Sequence, residues 1–129
     1  SGSLDLSKAR FTALSPTIVF KDSKPFLLVG SPGGTTITMG NLQAILNVID
    51  FGMNAQESVS APRFTTTSST IELTNRILRS TEAQLQKKGY PTKRHPYSYM
   101  MPILQTIRLI DGQLDGGADP SGDGMAASI

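Results

Sequence analysis

Cysteine and tryptophan are missing from this chain of 129 residues, and histidine occurs once. Without cysteine the chain forms no disulfide and no cysteine-ligated metal site, and its redox compartment stays open. The single histidine, His95, is too few for a metal centre or a catalytic triad. No apolar run is long enough for a membrane-spanning helix, and the first residues lack a signal-peptide core. We therefore predict no metal, no cofactor and no membrane span.

Charged residues are also few. They make up 17% of the chain, and the net charge of +2 with a pI near 9.1 is too mild to indicate nucleic acid or an acidic membrane as a partner. A small basic cluster at Lys87–Lys88 and Lys93–Arg94 lies near Tyr97 and Tyr99, but no RNA-binding motif accompanies it. We interpret this cluster as a solvated surface.

The hydrophobic content of 38%, without internal repeats, predicts one soluble globular domain over residues 1–129. Residues 1–10 are expected to be a flexible segment, a tag or a loop. Two apolar runs, Thr17–Phe20 and Phe26–Val29, flank a turn and predict a β-hairpin. Because both runs are almost continuously apolar, we expect central strands in a sheet that is covered on both faces.

A helix is predicted after the hairpin. Thr35 or Thr36 should cap its first turn through a side-chain hydroxyl, and Gly52 should end it. The apolar residues at helical spacing, which should pack against the sheet, are Leu42, Ile45, Leu46 and Ile49.

The rest of the chain predicts two more helices and two more strands. The helices cover Asn54–Ser60 and Asn75–Lys88, and a strand covers Ile103–Ile110. The turn Asp111–Gly112 leads into a short strand near Leu114. With a Thr-rich, β-prone stretch in the middle, this order predicts an α+β sandwich of helices on a mostly antiparallel sheet.

The stretch "VGSPGGTTITMGNLQAIL" joins a strand to a helix through Gly33 and Gly34. The first amides of a helix have no internal acceptor, and glycine lets a ligand oxygen approach them closely. Phosphate, a carboxylate or the oxyanion of an acyl-transfer intermediate would suit such a site. Packing or turn geometry also explains a glycine pair, so the motif alone leaves the ligand open.

The residues around the glycine pair resemble a known family. "LSPTIVFKDSKPFLLVGSPGG", "LQAILNVIDFGMNAQESVSAPRF" and "QLDGGADPSGDGMAAS" are similar, in this order, to the later part of the small subunit of γ-glutamyltranspeptidases. The resemblance runs from Phe11 to the end of the chain.

This resemblance implies an N-terminal-nucleophile hydrolase with a four-layer αββα fold, made by a proenzyme that cleaves itself into two subunits. A new N-terminal threonine would attack a γ-glutamyl amide and form an acyl-enzyme. Gly33 and Gly34 would form the oxyanion hole. The family's Thr-Thr-His start is absent, so the chain would be about two-thirds of a small subunit. It would need the large subunit and the missing N-terminal part, and it would be inactive alone. The resemblance allows a periplasmic, secreted or cytoplasmic location.

Four positions depart from the family pattern, and two of them lie where the family binds the substrate α-carboxylate. The expected serine pair falls on Thr12 and Ala13, so one hydroxyl is lost. Ser121 replaces the arginine of an Asp-Pro-Arg segment, and Thr65 replaces a histidine two residues after Arg63. The lost hydroxyl predicts an altered substrate, such as another amide, an acyl-cephalosporin-like compound or a γ-linked polymer. The changes at Ser121 and Thr65 predict a divergent branch.

Other readings stay open beside the enzyme. The chain could be a non-catalytic fragment or degenerate homologue that serves in binding, a related acylase, or an isolated anion-binding module. Arg63 is expected to form a structural ion pair or bind carbonyls, and Asp119 to cap the terminal loop or pair with Arg63. Met100 and Met101 are expected in the core.

Overall fold

The structure, a computed structural model, describes residues 12–127. The residues 1–10 that were expected to be a flexible segment, tag or loop lie outside the described part. The strands and helices are β1 Thr17–Lys21, β2 Lys24–Gly30, α1 Ile37–Ile49, α2 Ala55–Ser60, β3 Phe64–Thr65, β4 Ile71–Leu73, α3 Arg79–Lys87, β5 Thr92–Arg94, β6 Gln105–Ile110 and β7 Gln113–Ala118, with a 3₁₀ turn at Gly34–Thr36 before α1. None of the helices in residues 12–127 has the length and hydrophobicity needed to cross a membrane.

Four strands form an antiparallel sheet in the order β1-β2-β6-β7. This arrangement confirms the α+β class. The hairpin prediction is correct, but β1 lies at an edge of the sheet within the described residues, so of the two hairpin strands only β2 is central. A second sheet of three strands contains β5, which the sequence did not predict and which runs parallel to β4.

The core lies between the four-stranded sheet and the helices α1 and α2. Its cluster of buried side chains is Leu27, Val29, Ala44, Val48, Val59 and Leu104. The predicted packing face of α1 is wrong, because Leu42, Leu46 and Ile49 are exposed in this chain and only Ile45 packs against the core. The buried residues of α1 are Ile37, Gly40, Asn41, Gln43, Ala44 and Val48.

Close contact between α1 and a proline explains which residues of α1 are buried. A β-carbon placed on Gly40 would lie 2.2 Å from the Cγ atom of Pro102. The helix therefore approaches the core through small residues, and the large aliphatic side chains occupy its outer side. Hydrophobic periodicity alone favoured the larger side chains and gave the wrong face.

One face of the four-stranded sheet is apolar and uncovered within the described chain. The strand register places Ile18, Leu28 and Ile107 in one row across β1, β2 and β6, so their side chains share a face. Ile18 is 55% exposed, and Leu114 on β7 is 73% exposed. The expectation of a sheet covered on both faces is therefore not met by this segment alone. Exposed apolar patches on proteins are often interaction surfaces.

The C-terminal end of α1 and the N-terminal end of α2 follow local signals, whereas the N-terminal ends of α1 and α3 do not. Asn54 caps α2 in a capping box with Glu57, as its position predicted. Gly52 adopts a positive φ of 66° just after α1, which suits its predicted role as a stop. Helix α3 begins at Arg79, four residues later than predicted, because the segment before it binds Arg94 through the backbone carbonyls of Asn75 and Ile77.

Candidate active site at the glycine loop

Gly33 and Gly34 lie in the loop that joins β2 to the 3₁₀ turn before α1. Their φ angles are 154° and 64°, a region that favours glycine. Within residues 12–127, neither backbone N–H donates a hydrogen bond, and Gly34 is exposed to solvent. The predicted threonine cap is not formed. Instead, the Thr36 hydroxyl donates to the Gly33 carbonyl at 2.8 Å.

All four residues that the sequence singled out line the same shallow cleft. Its volume is about 400 Å³, and its walls are Thr12, Ala13, Leu14, Pro32, Gly33, Gly34, Thr35 and Ile37. The Thr12 hydroxyl accepts a hydrogen bond from the N–H of Leu14 at 3.2 Å, while Ala13 offers only a methyl group. The fold therefore brings the predicted oxyanion donors and the predicted carboxylate pocket together.

Different causes require glycine at the two positions of the pair. A β-carbon on Gly33 would lie 2.6 Å from the Cβ atom of Pro102, so this residue packs directly on the proline. No atom of residues 12–127 lies within 4 Å of the corresponding position on Gly34, where the positive φ is what requires glycine. Packing thus holds Gly33 in place, whereas the space beside Gly34 is open for a ligand.

Asn41, which sequence reasoning missed, connects the two walls of the cleft. Its side-chain amide donates to the carbonyl of Ser15 at 2.8 Å, and its carbonyl accepts from the hydroxyl of Ser31 at 2.9 Å. Ser15 follows the Thr12–Ala13 segment, and Ser31 precedes the glycine pair. A polar side chain on the buried side of α1, between Gly40 and Ala44, was the available signal in the sequence.

The electrostatic field of α1 favours an anion at the glycine loop. The helix has 13 residues, and its first turn contains no acidic side chain. The positive end of its dipole and the N–H groups before it therefore face the cleft without a negative group of the helix to balance them. A negative oxygen near Gly34 would be stabilised by this arrangement.

A buried ion pair is hydrogen-bonded to Pro102, the proline that packs against Gly33. Arg63 and Asp119 are 2% and 0% exposed, and their side chains meet at 2.6 Å. Arg63 also donates to the carbonyls of Val59, Met100 and Pro102 at 2.8 to 3.0 Å. This confirms the expected structural role of Arg63 and connects it with the proline under Gly33.

Asp119 is held as a charged carboxylate. Burial alone would raise its pKa, but hydrogen bonds from the Leu104 N–H and from the N–H and hydroxyl of Ser121, together with the Arg63 guanidinium, leave the pKa below its usual value. Both expected roles are therefore present, since Asp119 caps the terminal loop and pairs with Arg63.

His95 lies in a second shallow cleft, whose lining also includes Thr36. Its ring contacts the carboxylate of Glu72 at 3.1 Å and stacks on Tyr97 with centroids 4.8 Å apart. Within residues 12–127, no group of three His, Cys, Asp or Glu side chains is arranged to hold a metal ion. Of the two methionines expected in the core, Met100 is buried, but Met101 is 47% exposed, so that expectation is half wrong.

Comparison with known proteins gives one consistent result. The γ-glutamyltranspeptidase family matches residues 6–129. The glutathione hydrolase proenzyme of Bacillus subtilis is 34% identical over 124 residues, or 95% of this chain and 21% of that protein. The acylase ACY 1 proenzyme of a Pseudomonas species is 35% identical over 123 residues, or 95% of this chain and 22% of that protein.

A solved structure gives the same result for the fold. A mutant γ-glutamyltranspeptidase of Helicobacter pylori superposes with a TM-score of 0.82 at 35% identity, covering 92% of this chain and 66% of that one. This match confirms the expected α+β fold as part of a larger sandwich. The chain spans about a fifth of the length of the curated relatives that it matches.

Proposed function

The chain belongs to the γ-glutamyltranspeptidase family, and on that premise we propose that it is the C-terminal part of the small subunit of an enzyme that cleaves γ-glutamyl amides. The acyl group would pass through an acyl-threonine intermediate to water or to an amine. The nucleophile and the large subunit would come from the rest of that enzyme, which we call the complete protein. This chain would contribute the oxyanion hole and one end of the substrate pocket.

The observation that carries this proposal is the cleft that Gly33 and Gly34 share with Thr12 and Ala13. Attack on an amide carbonyl puts negative charge on its oxygen, and fixed N–H donors stabilise that charge more in the transition state than in the substrate. The two glycine N–H groups have no acceptor within residues 12–127 and lie at the positive end of α1. They are suited to this role because no acceptor among the described residues uses them.

The uncovered apolar face of the sheet supports the proposed partners. Its side chains include Ile18, Ile107 and Leu114, and apolar patches of this kind usually mark interfaces. We propose that the missing part of the small subunit and the large subunit cover this face in the complete protein. Nucleic acid and metal ions have no role in the proposed reaction.

The class of enzyme is tested by intact-mass analysis and turnover. The complete protein should cleave itself into two chains before a threonine and should release the anilide from a γ-glutamyl anilide. This chain alone should show no turnover, because it contains no Thr-Thr-His start. A complete protein that folds, remains in one piece and is inactive would support the alternative of a degenerate homologue that serves in binding.

Substrate choice is predicted to depend on Thr12 and Ala13. We propose that these residues face the substrate α-carboxylate, with one hydroxyl where the family pattern has two. Loss of one hydrogen bond to a carboxylate costs about 1–3 kcal/mol, so γ-glutamyl substrates should bind weakly. Ala13→Ser should restore part of that binding, and Thr12→Ala should weaken it further.

The measurement is kcat/KM for a γ-glutamyl anilide and for its analogue without the α-carboxylate, in the wild type and both variants. The preference for the carboxylate should rise in Ala13→Ser and fall in Thr12→Ala. Thr38→Val, which alters an exposed threonine on α1 outside the cleft, serves as the control. An unchanged preference in Ala13→Ser would show that these positions do not form the pocket.

A related acylase is the second candidate function. The similarity to the acylase ACY 1 proenzyme favours a related acylase. The methyl group at Ala13 favours an acyl group without a free α-carboxylate. The same pair of anilides separates the two candidates. Faster turnover of the analogue without the carboxylate would favour the acylase.

A further inference from the structure

We propose that Thr36 is a positioning residue, which orients the N–H of Gly34 toward the reacting oxygen. The Thr36 hydroxyl donates to the carbonyl oxygen of Gly33 at 2.8 Å. That oxygen and the N–H of Gly34 belong to one peptide unit. This inference rests on the proposed oxyanion role of the glycine pair.

The planarity of the peptide bond transmits the effect. The bond between Gly33 and Gly34 is trans, so its C=O and N–H point in opposite directions along one plane. A hydrogen bond that fixes the oxygen therefore also fixes the direction of the N–H. Thr36 does not need to touch the substrate in order to aim this donor.

The residues that line the two clefts support a role for Thr36 outside the substrate cleft. Gly33, Gly34 and Thr35 line the cleft that we assign to the substrate, whereas Thr36 lines the second cleft, next to His95. The Thr36 hydroxyl thus holds the carbonyl away from the proposed oxyanion. The N–H on the opposite edge of the same peptide is left for the oxyanion.

The loop needs such a contact because glycine constrains its own backbone little. Gly34 has a φ of 64°, and no atom of residues 12–127 lies within 4 Å of its β-carbon position, so no side chain packs there. The N–H of Ile37 donates to the carbonyl of Gly34 and so holds the peptide unit that follows this residue. Pro102 restrains Gly33 at its α-carbon side. These contacts leave the orientation of the peptide unit between the two glycines unfixed. Within residues 12–127, the Thr36 hydroxyl is the side-chain group that donates a hydrogen bond to the oxygen of this peptide unit.

The test compares Thr36→Val with Thr36→Ser in the complete protein. Valine keeps the branched shape and removes the hydroxyl, whereas serine keeps the hydroxyl. A neutral hydrogen bond of this kind corresponds to a change of about threefold to tenfold, so kcat for a γ-glutamyl anilide should fall by that factor in Thr36→Val with KM unchanged. Thr36→Ser should keep most of the wild-type kcat. Thr38→Val is the control for a hydroxyl lost elsewhere on α1.

A tetrahedral inhibitor gives a readout that a general structural effect would not change. In a boronic acid analogue, boron replaces the scissile carbonyl carbon of the γ-glutamyl group. When the nucleophile adds to boron, the adduct is tetrahedral and carries a negative oxygen where the oxyanion forms. Thr36→Val should weaken this inhibitor by the same factor as kcat, while the affinity for a γ-glutamyl product stays the same. Equal losses for inhibitor and product would overturn the inference, and so would a wild-type kcat in Thr36→Val.

Failure of this inference can be distinguished from failure of the proposed function. Gly34→Ala moves the donor itself and therefore tests the oxyanion role directly. If Gly34→Ala lowers kcat and Thr36→Val does not, only the role of Thr36 is wrong. If neither variant lowers kcat, the oxyanion role fails and the inference fails with it. If Thr36→Val reduces the yield of folded protein, Thr36→Ala and the serine variant provide the same comparison.

Discussion

Asp119→Asn should lower the free energy of unfolding by about 3–5 kcal/mol, the usual loss when one partner of a buried ion pair is removed. The change leaves the guanidinium of Arg63, which is 2% exposed, without its counter-charge. The side-chain amide of asparagine also has an NH₂ donor. This donor would face the groups that donate to the carboxylate in the wild type, among them the N–H of Leu104. The effect is measured by denaturant unfolding of the complete protein and by hydrogen exchange at residues 100–105.

Asp115→Asn is the matched control for this prediction. The pair Arg108–Asp115 has a separation of 3.0 Å, but the Asp115 side chain is 36% exposed. Exposed ion pairs contribute about 0–1 kcal/mol, so this variant should lose far less stability than Asp119→Asn. Equal losses of unfolding free energy in the two variants would show that burial of the Arg63–Asp119 pair does not increase its contribution to stability. Faster exchange at residues 100–105 should occur only in Asp119→Asn.

The loss of stability in Asp119→Asn should depend on pH. Because the pKa of Asp119 is lowered in the folded protein, its carboxylate stabilises the fold at every pH above the usual carboxyl pKa of about 4. This contribution is lost as the pH falls below that value through the folded-state pKa. The difference between wild type and Asp119→Asn should therefore be constant from neutral pH down to about pH 5 and shrink in stronger acid.

The sequence predicted several local features, although the expected threonine cap at the start of α1 is not formed. Gly33 and Gly34 stand where a strand becomes a helix, so their unpaired amides follow from the chain's own neighbours. The capping box of α2 and the hairpin turn at Asp111–Gly112 are also properties of a few adjacent residues. In such cases the interacting groups are close in sequence, and the pattern is enough.

Contacts between distant segments could not be read in the same way. Pro102 packs on Gly33 and Gly40, which precede it by more than sixty residues in the printed sequence. That contact decides that small residues of α1 face the core, which reversed the predicted face. The parallel pairing of β4 with β5 was missed for the same reason, since α3 separates the two strands. The resemblance supplied the role of Thr12 and Ala13, which remains a prediction.

Gly34→Ala should lower kcat by about a hundredfold or more, the usual effect of losing one oxyanion donor. Alanine avoids the φ of 64° that Gly34 adopts, at a cost of about 1–2 kcal/mol, so the loop should relax toward negative φ. That relaxation rotates the peptide and turns the N–H away from the cleft. KM should change little because the donor acts mainly on the transition state. The measurement is steady-state turnover of a γ-glutamyl anilide by the complete protein.

Gly52→Ala separates backbone strain from catalysis. Gly52 follows α1 with a φ of 66°, and no atom of residues 12–127 lies within 4 Å of its β-carbon position, so alanine meets the same strain there as at Gly34. The two variants should therefore lose similar stability, but only Gly34→Ala should lose turnover, because Gly52 lies outside the cleft. A boronic acid inhibitor should bind Gly52→Ala as tightly as it binds the wild type. It should bind Gly34→Ala about a hundredfold less tightly, because a lost oxyanion donor weakens a tetrahedral analogue by the same factor as it lowers kcat. Equal kcat in the two variants would mean that Gly34 is a glycine only for the geometry of its turn, and the oxyanion would have to be stabilised by another part of the complete protein.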